Sequence, residues 1–284
     1  MAKILIVGCG DIGGGLGVKM AKQGHDVYGL RRSEQTLPGV SCIQGDVAEM
    51  ESLIGKFPDK IDYLIYSVAS SEFSEEGYER FYVQGLTHIL ALLQQMQQSP
   101  KRIFFVSSTS VFPHHDGCWV DETTLADPVA FAGIKMLAAE QKLQDSDFNG
   151  TAVRFSGIYG HGRTRLISQA RSGNHCDPEP DIWTNRIHND DCIGVLQYLI
   201  EQDIKGTKLD TLYLASDKEP VPLFKILEWL KDRIGDVEPD HDVPEVSRRG
   251  SKRCSSARLQ KLGYKFKYAT YKKGYEKVLN EMGY

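Results

Sequence analysis

Short runs of β-branched and aromatic residues alternate with longer amphipathic segments through residues 1–160 of the 284-residue chain. The runs that predict strands are KILIVG, DVYGL, CIQGDV, DYLIYSVA, RIFFVSS and TAVRFSGIYG. Between them the pattern predicts helices at 12–23, 48–55, 76–97 and 129–145. This alternation predicts an α/β fold in which a parallel sheet carries helices on both faces. Right-handed crossovers then make the sheet doubly wound.

After Gly157 the alternation becomes less regular. The segment SGNHCDPEPDIWTN predicts a loop by its Pro, Asn and Asp content, and TLYLAS predicts a strand. Further helices are predicted at 190–201, 221–234 and 271–282. We therefore predict a larger domain, residues 1–159 and 187–204, and a smaller C-terminal domain, residues 160–186 and 205–284.

The composition is that of an ordinary globular protein, with 41% hydrophobic and 25% charged residues. No apolar run approaches the roughly 20 residues that a membrane span needs. The opening MAKILIVGCG reaches glycine too early for a signal peptide, so we expect a cytoplasmic protein without a membrane partner. The six cysteines include no C-x-x-C pair, which predicts free, buried thiols and no metal site.

Charge is unevenly distributed along the chain, although the net charge is only -4. From Arg248 to the C-terminus there are eleven Lys or Arg residues against two Glu residues, which leaves the rest of the chain acidic. A basic segment of this kind is either a solvated face or a surface that attracts an anionic ligand.

The first predicted strand ends in GCGDIGGG, so Gly8, Gly10 and Gly13 form G-x-G-x-x-G between a strand and a helix. Gly8 permits the tight turn, Gly10 lets the backbone approach a pyrophosphate, and Gly13 allows close helix packing. The N–H groups of the helix start, at Asp11 and Ile12, then face the phosphates. The context predicts a dinucleotide site, the alternative being a glycine turn without a ligand.

The second strand ends in VYGLRRS, where a NAD-specific site normally places an acidic residue. Arg31 and Arg32 stand there instead, and an arginine fork suits the 2′-phosphate of NADP. NADP is therefore favoured over NAD as the cofactor. The alternative is that one or both arginines are solvated surface residues.

Two further strand ends are expected to face the same ligand, because ligands bind outside the carboxyl ends of parallel strands. Asp46 and Val47, in QGDV, are placed near an adenine. Ser67, Val68 and Ala69 are placed near the nicotinamide ribose.

The motifs GCGDIGG, QGDV, VSSTSVF, DPVAFAGIK, RFSGIYGHGR, NRIHNDD and ARLQKLGYKF occur in this order along the chain. In this order they resemble the extended short-chain dehydrogenase/reductases, the NAD-dependent epimerase/dehydratases of nucleotide sugars. The resemblance implies a Rossmann domain with a small C-terminal domain that binds the substrate. It also implies a homodimer formed through the helices at 76–97 and 129–145.

The family's active site combines a Ser or Thr, a Tyr, a Lys four residues after the Tyr, and usually an upstream Asn. Ser108 matches the serine and Lys135 matches the lysine, which in the family also binds the nicotinamide ribose. Phe131 stands at the position of the tyrosine and Tyr82 at that of the asparagine, so two of the four positions differ from the family's active site.

Loss of the tyrosine removes the group that passes a proton while hydride moves, a contribution of typically ~10² to 10⁴-fold. Phe131 has no proton to give, whereas Lys135 keeps its use as a cofactor ligand. A speculative replacement is Tyr82, with its hydroxyl near Lys135. The alternative is that Tyr82 lines the core or the cleft.

The resemblance also implies roles for residues farther along the chain. Ser156, Gly157 and Ile158 are expected near the nicotinamide. The residues expected to contact the substrate are Ser108, Thr109, His114, Phe131, Arg163 and Arg253.

Three of these residues have alternatives. Arg163 follows GIYGHG, and the alternative to substrate contact is that it lies in a solvated loop. His114 and His115 are adjacent, and metal binding by them is a weaker interpretation than lining the substrate cleft. The cluster Arg248, Arg249, Lys252 and Arg253 could clamp a diphosphate. It lacks interleaved aromatic residues, so we expect no nucleic-acid partner.

These observations favour an NADP-binding epimerase/dehydratase-like protein that acts as an oxidoreductase or isomerase on a small polar substrate, such as a nucleotide sugar. The alternative is a non-catalytic sensor that binds NADP(H) and signals the redox state to a protein partner. Phe131 favours the sensor, and the retained Ser108 and Lys135 favour the enzyme.

Overall fold

The computed structural model describes residues 1–113, 116–235 and 250–284. The predicted substrate residue His114 lies outside the described residues, as do His115, Arg248 and Arg249. The chain forms two compact units, which we call unit 1 and unit 2. Unit 1 comprises Met1–Phe112, Ala126–Arg154 and Ile193–Tyr213, and unit 2 comprises Pro113–Leu125, Phe155–Cys192 and Leu214–Tyr284.

The described strands are, in chain order, β1 (Lys3–Val7), β2 (Asp26–Arg31), β3 (Val40–Gln44), β4 (Tyr63–Tyr66), β5 (Arg102–Ser108), β6 (Trp119–Val120), β7 (Gly150–Phe155), β8 (Gly157–Tyr159), β9 (Trp183–Thr184), β10 (Arg186–His188), β11 (Leu212–Ala215), β12 (Val221–Pro222) and β13 (Arg253–Cys254).

The described α-helices are α1 (Asp11–Lys22), α2 (Glu75–Tyr78), α3 (Gly85–Gln95), α4 (Phe131–Gln144), α5 (Arg165–Arg171), α6 (Asn189–Ile204), α7 (Leu223–Ile234), α8 (Ala257–Lys261) and α9 (Tyr271–Met282). A π-helix, Glu79–Gln84, joins α2 to α3 without a break. Two 3₁₀ turns lie at Met50–Ser52 and Thr109–Val111.

The central sheet has seven strands in the order β11-β7-β5-β4-β1-β2-β3. Strand β1 pairs in parallel with β2 on one side and β4 on the other, and the chain then continues outward in both directions. The order reverses between β1 and β4, the point at which this class of sheet opens a ligand crevice. The predicted α/β doubly wound sheet is therefore confirmed.

The core of unit 1 is built from strands whose side chains are buried on both faces, as parallel strands between helix layers require. Ile4 and Leu5 of β1, Leu64 of β4 and Phe104 of β5 are each 0% exposed. Full burial of one such side chain contributes about 1.5–3 kcal/mol. This rigid sheet positions the loops at its carboxyl edge.

Unit 2 has no large sheet among its described residues and is held by helices around three two-stranded ladders. Its core combines residues of α5, α7 and α9 with Tyr159. A Cβ at Gly274 of α9 would lie 1.8 Å from the Tyr159 hydroxyl oxygen, so only glycine permits this packing. Tyr159 also stacks on Tyr275, with ring centroids 4.2 Å apart.

The units differ from the predicted domains in four segments. Residues 155–159 and 187–192, predicted in the larger domain, belong to unit 2. Residues 113–125 join unit 2, in which β6 pairs in parallel with β13. Residues 205–213 join unit 1, where the N–H of Ala152 donates to the carbonyl of Thr211 at 2.9 Å. The substrate-binding role of the smaller domain stays a prediction.

The secondary-structure prediction is wrong at four places. The single strand predicted at 151–160 is two strands, β7 and β8, and β8 pairs with β10 outside the central sheet. The helix predicted at 48–55 is a single 3₁₀ turn, because Gly55 follows with φ +72° and the segment is too short to propagate an α-helix. Strand β3 begins at Val40 and ends before Gly45. The loop predicted at 172–185 contains the short strand β9, which pairs with β12.

Candidate functional site

The glycine-rich turn joins β1 to α1 and is anchored at the end of β2. The N–H groups of Gly8 and Cys9 both donate to the carbonyl of Leu30, at 2.9 and 3.0 Å. Gly8 has φ +88°, and a Cβ there would lie 2.5 Å from the carbonyl oxygen of Ser67. Only glycine meets both conditions without strain. The missing side chain at Gly8 is therefore what allows this turn.

The start of α1 packs on the turn and leaves one side open. A Cβ on Gly13 would lie 2.4 Å from the Gly8 carbonyl oxygen, whereas a Cβ on Gly10 would meet no described atom within 4 Å. Gly10 is the N-cap residue and supplies no side-chain hydrogen bond. The helix start thus offers backbone N–H groups and a positive end, a donor set that fits a pyrophosphate.

Asp11 and Ile12 occupy the first turn of α1 and differ in exposure. Asp11 is exposed. Its negative charge interacts favourably with the positive N-terminal end of α1 but would repel a bound anion. The Ile12 side chain is 6% exposed and belongs to the core, so only its backbone can contact a ligand.

The two arginines after β2 lie at the surface with different partners. Arg31 is half-buried, and its Nη2 donates to the Ser33 hydroxyl at 2.8 Å. Arg32 is exposed, and its guanidinium lies 5.1 Å from the centroid of the Phe81 ring. A guanidinium that stacks on a ring keeps its edge for bidentate bonding to a phosphate.

The residues predicted near the adenine follow β3. Asp46 is half-buried, and its Oδ1 accepts a hydrogen bond from the N–H of Ala48 at 2.9 Å. Val47 is buried, and its carbonyl lies 2.8 Å from Nδ1 of His88. Val47 could therefore contact a ligand mainly through its backbone, and the adenine contact of both residues stays a prediction.

The end of β4 adjoins the glycine-rich turn, as predicted for residues of one site. The N–H of Ser67 donates to the carbonyl of Val7 at 2.7 Å. Ser67 and Val68 are half-buried and Ala69 is exposed. The structure thus brings this segment together with Gly8.

Ser108 ends β5 and caps the 3₁₀ turn that follows. Its Oγ accepts a hydrogen bond from the N–H of Ser110 at 3.1 Å, and the side chain is half-buried. Thr109 is buried at 8% exposure. A Cβ on Gly133 would lie 2.4 Å from the Ser110 carbonyl oxygen, so the first turn of α4 packs closely on this segment.

Phe131 lies in an aromatic cluster at the start of α4. Its ring centroid is 5.1 Å from that of Phe73 and 5.4 Å from that of Tyr78, the latter in an edge contact. Tyr78 in turn packs against Tyr82 at 5.0 Å. Burial raises the pKa of Tyr78, and Tyr82 raises it further.

Lys135, one turn after Phe131, bridges two carboxylates. Its Nζ lies 3.1 Å from Oε1 of Glu75 and 3.1 Å from Oε2 of Glu79. The hydrogen bond with Glu79 and then that with Glu75 raise the pKa of Lys135. The ammonium therefore joins α4 to the helix at 75–84, and a ribose hydroxyl would have to compete with two carboxylates.

The hydroxyl of Tyr82 accepts a hydrogen bond from the N–H of Ser70 at 3.3 Å. Tyr82 lies within the π-helix Glu79–Gln84, and π-helical segments are frequent at functional sites. The tyrosine that packs on Phe131 is Tyr78, which the sequence analysis did not consider. No local pattern indicates this contact, because Tyr78 and Phe131 lie on different helices and meet only through helix packing.

A buried ion pair on α4 also escaped the sequence analysis. Arg154 Nη2 lies 2.6 Å from Oε2 of Glu140, and Arg154 Nε donates to Oε1 at 2.9 Å. The Ser107 hydroxyl donates to the same carboxylate. Glu140 therefore holds α4 against β5 and β7. The ion pair is indicated only by the position of two opposite charges, Glu140 and Arg154, in the apolar interior.

The residues predicted near the nicotinamide at β8 belong to unit 2. Ser156 is 3% exposed, and its Oγ has no hydrogen-bond partner among the described residues. Gly157 is exposed, and a Cβ there would lie 2.8 Å from Nη1 of Arg186. Ile158 is half-buried. Their contact with a cofactor stays a prediction.

The two predicted substrate arginines of unit 2 have different surroundings. Arg163 is exposed, and its N–H donates to the Gly160 carbonyl at 2.9 Å. The guanidinium of Arg253 lies near two indole rings, 5.3 Å from the centroid of Trp119 and 5.0 Å from that of Trp183. Substrate binding by either arginine stays a prediction.

None of the helices in the described parts of the chain combines the length and the apolar character that crossing a membrane requires. Among residues 1–113, 116–235 and 250–284, no three His, Cys, Asp or Glu residues are grouped so that they could hold a metal ion.

Comparison with solved structures finds relatives across the whole chain. A protein from Methylobacillus flagellatus assigned to the NAD-dependent epimerases/dehydratases is 38% identical, with a TM-score of 0.81 over 100% of this chain and 99% of that one. A conserved protein of unknown function from Silicibacter pomeroyi is 24% identical, with a TM-score of 0.76 over 99% of each chain.

A more distant relative is the dTDP-glucose 4,6-dehydratase of Bacillus anthracis, in complex with NAD. It is 15% identical, with a TM-score of 0.77 over 100% of this chain and 97% of that one, which shows a shared fold. A comparison with curated proteins found no match.

A family model also matches the chain, over a range that includes the glycine-rich turn. The model of the NAD dependent epimerase/dehydratase family matches residues 4–202, well over half of the chain. The chain therefore belongs to the NAD-dependent epimerase/dehydratase family.

Proposed function

We propose that this chain binds NADP(H) and acts as an oxidoreductase or isomerase on a small polar substrate such as a nucleotide sugar. The observation that carries the proposal is the turn at Gly8, whose positive φ and contact with Ser67 exclude a side chain. The turn leads directly into an α-helix whose N-cap supplies no side-chain hydrogen bond. Family membership supports the NAD-type cofactor and the enzyme class.

NADP(H), when bound, supplies or accepts the hydride. In the proposed site, the N–H groups of the first turn of α1 hold the pyrophosphate. Arg31 and Arg32 hold the 2′-phosphate, because a planar guanidinium bonds phosphate oxygens in pairs. The exposed Asp11 opposes the phosphates by like charge, which makes the two arginines more important for affinity.

On the substrate side, Ser108 holds a hydroxyl or carbonyl group. Its Oγ accepts from the N–H of Ser110, which leaves the hydroxyl hydrogen available as a donor. The distant relative from Bacillus anthracis is a dTDP-glucose dehydratase, which supports a nucleotide-linked sugar as the substrate.

Proton transfer must differ from the family pattern at Phe131, because a phenyl ring has no exchangeable proton. Tyr82 stays a predicted replacement, although its hydroxyl is engaged by the N–H of Ser70. A Tyr82→Phe variant with undiminished turnover would exclude it.

The cofactor proposal is tested by fluorescence titration of the purified protein with NADPH and with NADH. We expect Arg31→Ser and Arg32→Ser each to weaken NADPH binding about tenfold or more, the loss of one charge-assisted hydrogen bond, and to leave NADH binding unchanged. Arg80→Ser is the matched control, since Arg80 also lies over the Phe81 ring, at 5.5 Å. Equal losses for both cofactors would overturn the NADP assignment.

A second candidate is a non-catalytic NADP(H) sensor, which two observations favour. Phe131 packs against the rings of Phe73 and Tyr78, and the Lys135 ammonium is occupied by Glu75 and Glu79. We distinguish the candidates by incubating the NADPH-bound protein with a panel of nucleotide sugars and following the products by mass spectrometry. Tight NADPH binding without any turnover supports the sensor, and a product supports the enzyme.

A further inference from the structure

Two thiols of unit 1 lie beside the glycine-rich turn on one face of the sheet. Cys9 is the middle residue of Gly8–Gly10, and Cys42 lies on β3. We propose that Cys9 and Cys42 form an intramolecular disulfide when the protein meets a peroxide, and that this bond weakens dinucleotide binding at the turn. The bond itself does not depend on the proposed function, whereas its effect on the cofactor rests on it.

The position of Cys9 is set by a glycine on β2. A Cβ on Gly29 would lie 2.5 Å from Sγ of Cys9 and 3.1 Å from its Cβ. The Cys9 thiol therefore occupies the space above Gly29 that a side chain would otherwise fill. The hydrogen bond from the N–H of Cys9 to the carbonyl of Leu30 holds it there.

Cys42 is the neighbour of Gly29 on the adjacent strand. The two residues are register partners in the parallel pair β2–β3. Register partners in a sheet point to the same face. Val40, two residues before Cys42, confirms the face, because its Cγ1 lies 3.0 Å from the Cβ position of Gly29.

The separation of the thiols follows from these positions. Adjacent strands lie about 4.8 Å apart, so Sγ of Cys9 lies within about 7 Å of the Cβ of Cys42. A disulfide needs Cβ atoms about 3.5–4.5 Å apart, so the bond draws β3 toward the turn. Strand β3 is an edge strand of the central sheet and pairs there with β2 on one side only, so fewer strand-to-strand hydrogen bonds oppose its displacement.

The two thiols differ in solvent accessibility, and this difference determines which of them an oxidant reaches first. Cys42 is exposed and Cys9 is 0% exposed. Burial, and then the neighbouring Cys42, raise the pKa of Cys9 to about 11. A soluble oxidant therefore reaches Cys42 first, and Cys9 is the resolving thiol. The prediction of buried thiols is wrong for Cys42, because the edge strand leaves its side chain open to solvent, and Cys118 is only half-buried.

The chemistry balances with a peroxide as the oxidant. The Cys42 sulfur attacks one peroxide oxygen, the O–O bond breaks, and a sulfenic acid and water form. The Cys9 sulfur then attacks the sulfenic sulfur, the S–O bond breaks, and the Cys9 proton leaves with the hydroxyl group as a second water. Both sulfur atoms are oxidised and the peroxide is reduced.

The consequence for the cofactor follows from the place of the bond. Cys9 separates Gly8 from Gly10, whose backbone is proposed to face the pyrophosphate. A bond from Cys9 to β3 pulls on this turn, while reduced protein keeps the geometry that Gly8 and Ser67 define. We expect NADPH affinity to fall about tenfold on oxidation and to return on reduction.

The test uses the full reduced chain treated with hydrogen peroxide, then alkylated and digested without reduction for mass spectrometry. The expected result is a peptide pair joined through Cys9 and Cys42. Cys42→Ala should leave Cys9 reduced, and Cys9→Ala should drive Cys42 to sulfinic and sulfonic acids. Cys118→Ala is the control, since Cys118 lies in unit 2, and it should keep the joined pair.

Free Cys9 beside over-oxidised Cys42 in the unaltered protein would overturn the disulfide. NADPH titration of reduced and oxidised protein decides the effect on the cofactor, and equal affinities would overturn it. Absence of NADPH binding to the reduced protein would count against the proposed function alone, because the joined peptides are detected without any cofactor.

Discussion

The glycine-rich turn and the face of α4 that carries Phe131 and Lys135 lie in the same unit and differ in what they keep of the family pattern. The turn keeps all three glycines, and two of them are required by contacts of 2.5 and 2.4 Å. The α4 face carries Lys135 at the position predicted for the family's lysine and Phe131 at the position predicted for its tyrosine. One region is defined by backbone shape and the other by side-chain chemistry.

This difference shows that the residues that pack a helix in place can be separate from those that give it chemical reactivity. Gly133 and Glu140 hold α4 in place, through the close contact with Ser110 and the ion pair with Arg154. Neither contact uses residue 131. A tyrosine or a phenylalanine at residue 131 would therefore leave these contacts of α4 unchanged, whereas a side chain on Gly8 would disturb the turn itself.

The largest effect should come from the buried ion pair that supports α4. Glu140→Ala leaves the Arg154 guanidinium buried and unpaired, which costs about 3–5 kcal/mol of unfolding free energy. Urea unfolding followed by circular dichroism measures this loss. Glu49→Ala, which removes an exposed ion pair with Arg80, should cost less than about 1 kcal/mol. Similar losses in both variants would show that α4 does not depend on Glu140.

The turn should be broken by one methyl group. Gly8→Ala places a Cβ against the Ser67 carbonyl at positive φ, and we expect NADPH affinity to fall about a hundredfold. Gly24→Ala is the matched control, because Gly24 has φ +85° but no atom within 4 Å of its Cβ position. Both variants carry the strain of positive φ, so only the contact at Gly8 distinguishes them. Isothermal titration with NADPH makes the comparison.

A Phe131→Tyr variant tests whether the α4 face lacks more than the phenol that the family's tyrosine supplies. In Phe131→Tyr, the charge of Lys135 is already balanced by Glu75 and Glu79, so the new phenol should not become more acidic than free tyrosine. Adding Glu79→Gln should increase its acid dissociation constant about tenfold. Ultraviolet difference titration against Phe131→Tyr alone measures the change. An acidic phenol in the single variant would mean that Lys135 still acts on position 131.

The smallest effect should come from Glu79 alone. Its hydrogen bond is the main cause that raises the pKa of Lys135, so Glu79→Gln should lower that pKa toward the ordinary lysine value. The stabilisation by a raised lysine pKa is present below the unfolded pKa and lost as the pH rises through the folded one. NMR titration of the lysine Cε signals follows the change. An unaltered pKa would identify Glu75 as the dominant partner.

Much of the fold could be predicted from local sequence patterns. The apolar runs of β1, β2, β4 and β5 are continuous because each strand is covered on both faces, and such runs are visible without any tertiary information. The segment at 48–55 was misread because a few helix-compatible residues do not reveal whether a helix can propagate past Gly55. The short strands of unit 2 pair residues far apart in sequence, so no local pattern marks them.

The site divides in the same way. Gly8, Gly10 and Gly13 could be recognised from spacing, since the conformation that each glycine permits is a local property. The partners of Lys135 could not, because Glu75 and Glu79 lie on another helix and meet the ammonium only through helix packing. Tyr78, Glu140 and the neighbourhood of Cys9 and Cys42 were hidden for the same reason.

The sequence by itself determined the family, the doubly wound sheet and the prediction that Phe131 stands at the position of the family's tyrosine, because motif spacing, hydrophobic period and residue identity are properties of the chain in order. Only the tertiary structure decided which charges surround Lys135, which tyrosine packs on Phe131 and which thiols share a face. These contacts depend on distances between segments that folding brings together, and no local sequence pattern determines those distances.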